Sequence, residues 1–192
     1  MGTPTATLEL IKLILNSVLS RPGAKFACFA VKKFYLATPM DRSEYARIKI
    51  EDIPEDFINE YNLLPMFHNG WIYFEMVREC YGLPQSSMLV NNLLRTRLNK
   101  NGYFEAATTP GLWKHQWRPI QLCLIVDNLV IEYVGERHIH HLRNVLKQHY
   151  EITEDWKGTK FGGINIKWNY AQKHAESSCR LCIKDYIKYL LL

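Results

Sequence analysis

Residues 122–131 read LCLIVDNLVI, two apolar runs interrupted only by Asp127 and Asn128. Both runs are strand-like in content, and a polar pair between them predicts a tight hairpin. Asn-Leu is a poorer turn than Asn-Gly, so the turn chemistry is not ideal. A carboxylate buried without a partner costs several kcal/mol. Asp127 therefore either touches water in a turn or is held where it is for a cation.

The rest of the chain supplies elements to pack around that hairpin. Leu8, Ile11, Leu15 and Val18, with Ile14 beside them, form a helical stripe that Arg-Pro-Gly at 21–23 stops. KFACFAV (25–31) is short enough to be a buried strand, and YARIKI (45–50) and WIYFEMV (71–77) also look like strands. Pro54 opens a short helix. Pro84 opens a longer one, of about fifteen residues, carrying Met88, Leu89, Leu93, Leu94 and Leu98 and closed by Asn101-Gly102. GLWKHQW (111–117) is a further strand candidate, and Ile139, Leu142, Val145 and Leu146 mark one face of a further helix. FGGINIKW (161–168) reads as one strand with two glycines, and CRLCIKDYIKYLLL (179–192) as a strand followed by a helical stub. This mixture predicts an α+β fold with a mostly antiparallel sheet and helices packed on one face.

Five stretches, in order, resemble the palm of reverse transcriptases, in particular those of copia-type LTR retrotransposons. They are AVKKFYLATPM (30–40), CYGLPQSSMLVNNLL (80–94), IVDN (125–128), FGGINI (161–166) and LCIKDYIKYLL (181–191). The resemblance implies a polymerase palm-like fold. It implies that residues 1–24 are an N-terminal helix left from a fingers region and that 25–192 are the palm-like region, without a thumb, connection or RNase H region. It also implies nucleotidyl transfer on an RNA or DNA primer–template, with two Mg²⁺ or Mn²⁺ ions stabilising the attacking and leaving oxygens. Asp127 falls on the first hairpin carboxylate, a metal ligand in the family. Tyr35, five residues past position 30, falls on the aromatic that screens the sugar, and Gln85 on a glutamine of the nucleotide pocket.

Two positions depart from that pattern. Ala30 stands where the first motif has its Asp, and Asn128 where the hairpin has its second; Ile125 replaces the hairpin Tyr. A carboxylate about 4 Å from a divalent ion contributes on the order of 8 kcal/mol at an effective dielectric near 20, before desolvation is subtracted. Losing two of three carboxylates leaves ion binding weak or absent, and the expected product is a catalytically inactive polymerase fragment. The alternative is a retained non-catalytic module that binds nucleic acid or protein. Asp41, Glu44 and Glu132 are poorly placed along the chain to substitute.

The net charge of +5 suits a polyanionic partner. Lys32, Lys33, Lys157, Lys160 and Lys167, with Tyr and Trp nearby, are candidates to touch a phosphate backbone. Five cysteines are an odd set, read as reduced thiols. Cys179-x-x-Cys182 and the histidines 138, 140, 141, 149 and 174 have some zinc character. However, CRLCI alternates like a strand, and positions three apart in a strand face opposite sides. No apolar run approaches the roughly 18 residues of a membrane span, and the N-terminus does not read as a signal peptide. The expected location is intracellular, cytoplasmic or nuclear, with no membrane partner.

Overall fold

In a computed structural model, residues 6–161 and 164–178 are described. In chain order the elements are α1 (Leu8–Ser20), β1 (Ala24–Val31), β2 (Pro39–Lys49), α2 (Glu55–Glu60), β3 (Phe67–His68), β4 (Trp71–Arg78), α3 (Ser86–Asn99), β5 (Tyr103–Glu105), β6 (Leu112–His115), β7 (Ile120–Ile125), β8 (Asn128–Val134), α4 (Glu136–Lys147), β9 (Ile152–Asp155), β10 (Lys160–Phe161), β11 (Ile164–Asn169) and β12 (His174–Ser178). Among the described residues every strand pairing is antiparallel, and the fold is α+β. The described residues form two compact units, one of residues 6–32, 94–161 and 164–178, the other of residues 33–93.

The larger unit is built on a six-stranded sheet in the order β5-β6-β7-β8-β1-β9. Directly opposed residues of antiparallel strands point to the same side. Phe26, Cys28 and Ala30 of β1 therefore share a face with Glu132, Val130 and Asn128 of β8. Leu10, Ile14 and Val18 of α1 pack onto that face against Phe26, Cys28, Cys123 and Val130. Thr7 caps the helix by accepting a hydrogen bond from the Leu10 N–H at 3.3 Å.

Ala27 and Phe29 alternate to the opposite face with Ile131 and Leu129. Helix α4 lies on that side. Its His140 packs on Trp156 (4.8 Å between centroids), which meets Phe29 edge-on (5.3 Å), and its His141 bonds the Tyr103 hydroxyl at 3.0 Å. The helices thus divide between the two faces of the sheet, where a single helical layer is the sequence expectation. The physical reason is in β1 and β8: residues of both parities are apolar and buried, so both faces need cover.

Residues 161–168, expected as one strand, are divided. Phe161 ends β10 and Ile164 begins β11, and the two strands pair antiparallel, followed by β12 in a three-stranded sheet. The expected strand and helical stub over 179–192 lie outside the described residues.

The smaller unit holds a second three-stranded sheet in the order β2-β4-β3. Arg47 lies over the Trp71 ring at 4.3 Å. Glu79, fully buried, accepts a hydrogen bond from the Ser86 hydroxyl, and its backbone N–H donates to the Thr38 carbonyl at 2.9 Å. Helix α3 begins in this unit and ends in the larger one.

Candidate active site

The hairpin of β7 and β8 closes on the pair Ile125–Asn128, so its two turn residues are Val126 and Asp127. The sequence places the turn one residue later, at Asp127-Asn128. What moves it is Val126, which adopts φ +56° and supplies the left-handed residue that a two-residue loop requires. Asn128 thereby becomes the first residue of β8 and sits directly opposite Ala30 of β1. The Val31 N–H donates to the Asp127 carbonyl at 2.8 Å, fixing the turn against the end of β1. Ala30, Asp127 and Asn128 therefore converge at one end of the six-stranded sheet.

A cavity of about 270 Å³ opens there, lined by Cys28, Ala30, Asn128, Thr153, Asp155 and Lys160 among others. Asp155 had no role in the sequence reading. It lies opposite Cys28 on β9, next to the pair Thr153–Ala30, and so shares their face. Its carboxylate is already committed. It accepts from the N–H groups of Thr159 (2.6 Å), Lys160 (3.0 Å) and Lys157 (3.2 Å) and from the Thr159 hydroxyl (3.1 Å). The local signal was Asp followed by Trp-Lys-Gly-Thr, an Asp whose side chain closes the turn that follows it.

Asp127 is half-buried and accepts a hydrogen bond from the Asn128 amide at 2.7 Å. Lys160 brings an ammonium group to the adjoining cavity. One carboxylate with an amide donor at 2.7 Å, beside a lysine, is a poor donor set for a pair of hard divalent ions. Among the described residues no group of three or more His, Cys, Asp or Glu is arranged to hold a metal ion.

Of the three acids weighed as substitutes, Glu132 is committed within the six-stranded sheet and the other two belong to the smaller unit. Glu132 is fully buried, four residues along β8 from Asn128, where it accepts from Gln121 (2.5 Å) and faces Arg21 at 3.6 Å. Asp41 and Glu44 belong to β2 in the smaller unit. Tyr35 and Gln85 also belong to that unit. Tyr35 is half-buried with its ring 4.2 Å from that of Tyr81, and the Gln85 carbonyl accepts from Met88 and Leu89 in the first turn of α3.

Burial pushes the thiols of Cys28 and Cys123 up to about 12, so both are inert at neutral pH. Of the expected phosphate-contacting lysines, Lys32 is ion-paired with Glu151. Cys179 and Cys182 lie outside the described residues. No helix among the described residues is long and apolar enough to cross a membrane.

No family model matches the chain. The sequence is 24% identical over 155 residues to a putative transposon Ty5-1 protein of Saccharomyces cerevisiae, covering 80% of this chain and 45% of that protein. The chain thus spans less than half the length of this relative. The structure overlays 92% of the chain on 41% of apo telomerase from Candida tropicalis, truncated from its C-terminal domain, at 12% identity and a TM-score of 0.46. That overlay is too loose to carry an argument. The sequence is thus similar to a transposon protein.

Proposed function

We propose that the chain is palm sequence of a retrotransposon-type RNA-directed DNA polymerase whose metal site has been lost. The observation that carries the reading is the register of the sheet. Positions 30, 127 and 128, separated by almost a hundred residues, meet at one end of β1 and β8, with Ala30 opposite Asn128. A two-metal nucleotidyl transferase needs carboxylates gathered in such a place. Similarity to a transposon protein supports the same origin. In this reading Asp127 is the surviving metal-site carboxylate, and Ala30 and Asn128 are substituted ones. Tyr35 and Gln85 keep residue types suited to the sugar and the base of a nucleotide. Mg²⁺ or Mn²⁺ binding is weak, and no polymerisation step is assigned to the chain.

The chemistry follows from charge. An amide oxygen can coordinate but brings no net charge, and alanine brings no ligand at all. With one of three carboxylates left, too little negative charge remains to offset the mutual repulsion of two divalent ions about 3.5–4 Å apart. The test is extension of a primer–template by the purified protein with Mg²⁺ or Mn²⁺. The expected result is no extension above a no-enzyme control, and metal-dependent extension would overturn the claim of a lost site.

A further inference from the structure

Charge is divided unevenly along the chain. Residues 33–93, the smaller unit, hold five Lys and Arg against nine Asp and Glu, a net charge of −4. The chain as a whole is +5, so the rest of it carries +9. Such an asymmetry is a means of recognition between surfaces.

The acidity is concentrated. From Ile50 to Val77 there is no Lys or Arg, and Glu51, Asp52, Glu55, Asp56 and Glu60 are all exposed. Of these five, Glu51 alone has an ion-pair partner among the described residues, Lys49 at 3.0 Å. Large apolar side chains stand beside the acids: Phe57, Tyr61, Leu64, Met66 and Phe67 are each between 46% and 62% exposed. Helix α2 has no buried residue, and its Phe57 stacks on Tyr61 at 5.8 Å between centroids. Five exposed large apolar residues within eleven positions mark a protein-binding surface.

A surface that covers this segment must be basic and offer an apolar anchor. The larger unit has such a corner, where the turn between β6 and β7 meets the start of α4. Trp117 is 66% exposed, and the Arg118 guanidinium lies over its ring at 4.1 Å. Arg137 Nε donates to Nε2 of buried His138 at 3.2 Å, and Arg118 Nη1 lies 3.4 Å from its Nδ1. A neutral imidazole accepts at one nitrogen only, so one of these two guanidinium groups lacks an acceptor there. The Arg118 Nε is buried without a hydrogen-bond partner, and among the described residues neither arginine has an ion pair. The adjacent acid, Glu136, is taken by Lys25 at 3.1 Å.

We propose that copies of this chain associate, the acidic and apolar segment 51–67 of one seated on the Trp117–Arg118–Arg137 corner of another. Carboxylates of the segment accept from the two guanidinium groups, and Trp117 packs with its exposed apolar side chains. Opposite charge steers the encounter and fixes the orientation, while the apolar contacts supply affinity. Every copy carries both surfaces.

The test is sedimentation equilibrium over the micromolar range at low and at high salt, with far-UV circular dichroism as the check of folding. Its outcome depends neither on a metal nor on the polymerase reading. Self-association is expected at low salt, weakened by salt and weakened at least tenfold in Glu55→Lys/Glu60→Lys and in Arg118→Glu/Arg137→Glu. Mixing those two variants is expected to restore association, because each then meets opposite charge on the other. Contact within a single chain cannot produce that recovery. Lys12→Glu/Lys114→Glu, at exposed sites elsewhere, is expected to stay within threefold of the native chain. Should Arg118→Glu/Arg137→Glu fail to fold, Arg137→Glu alone, at an exposed position, takes its place. A native chain that stays monomeric at low salt, equal losses in the Lys12/Lys114 control, or no recovery in the mixture would overturn the proposal.

Discussion

The side-chain amide of Asn128 donates to the carboxylate of Asp127 at 2.7 Å. The amide thus satisfies, within the hairpin, an oxygen that would otherwise be available to a cation. An aspartate at 128 would instead face Asp127 across the same short gap, and two carboxylates so close stay charged only with a cation between them. The Asn therefore stabilises the turn without metal.

Val126 carries a cost that substitution can remove. A β-branched residue at φ +56° is strained by about 1–2 kcal/mol, and Val126 is 46% exposed, so replacing it gives up only part of a side chain's burial. Val126→Asn is expected to raise stability by about 1 kcal/mol in urea unfolding, since Asn tolerates the left-handed region. A loss of stability would mean that the turn is not formed as described.

Gly158 is the opposite case. It has φ +56°, and a Cβ there would collide with the Phe26 ring and lie 3.0 Å from its carbonyl oxygen. Positive φ and overpacking together give an expected loss of about 3 kcal/mol for Gly158→Ala. A change below 1 kcal/mol in chemical denaturation would show that the 156–160 turn does not press on β1.

Stability is expected to fall in mild acid because of a histidine cluster. Burial, with the Arg118 guanidinium next for His115 and His141 and Arg137 ahead of Arg118 for His138, lowers all three from the usual 6.5. His115 Nδ1 accepts from the N–H groups of Trp117 and Arg118 at 3.2 Å each, and its Nε2 lies 3.1 Å from the Asn101 carbonyl. That pattern demands the neutral Nε2–H form, and a proton on Nδ1 would face two donors. Because the folded values lie below the unfolded one, the contribution is whole above about pH 6.5 and is lost as pH falls through the lowered values. Thermal melts are expected to give a lower Tm at pH 5 than at pH 7.5, with a smaller difference in His115→Gln. A pH-independent Tm over that range would contradict this.

Much of the fold was legible because its signals are local. The α1 stripe, its Arg-Pro-Gly stop, the α4 face and the β7–β8 hairpin all follow from residues within a few positions of one another. The hairpin turn was misplaced by one residue because propensity keeps a valine out of the left-handed region, and the register with β1 overrode it. Buried Glu132 was illegible for another reason: its partners are Arg21 and Gln121, one of them more than a hundred residues away. Asp155 could have been read from its turn sequence, but not its place beside Ala30, which depends on how β9 pairs with β1.

In the reading proposed above, Ala30, Asp127 and Asn128 occupy the positions of a former carboxylate site, and a restored site would bind metal. Its most direct measurement is Mn²⁺ titration, by calorimetry or paramagnetic resonance, of the native chain and of Ala30→Asp/Asn128→Asp. At least tenfold tighter Mn²⁺ binding is expected in the double variant, lost again when Asp127→Asn is added. Equal Mn²⁺ affinity in the native and doubly substituted chains, with both folded, would contradict it.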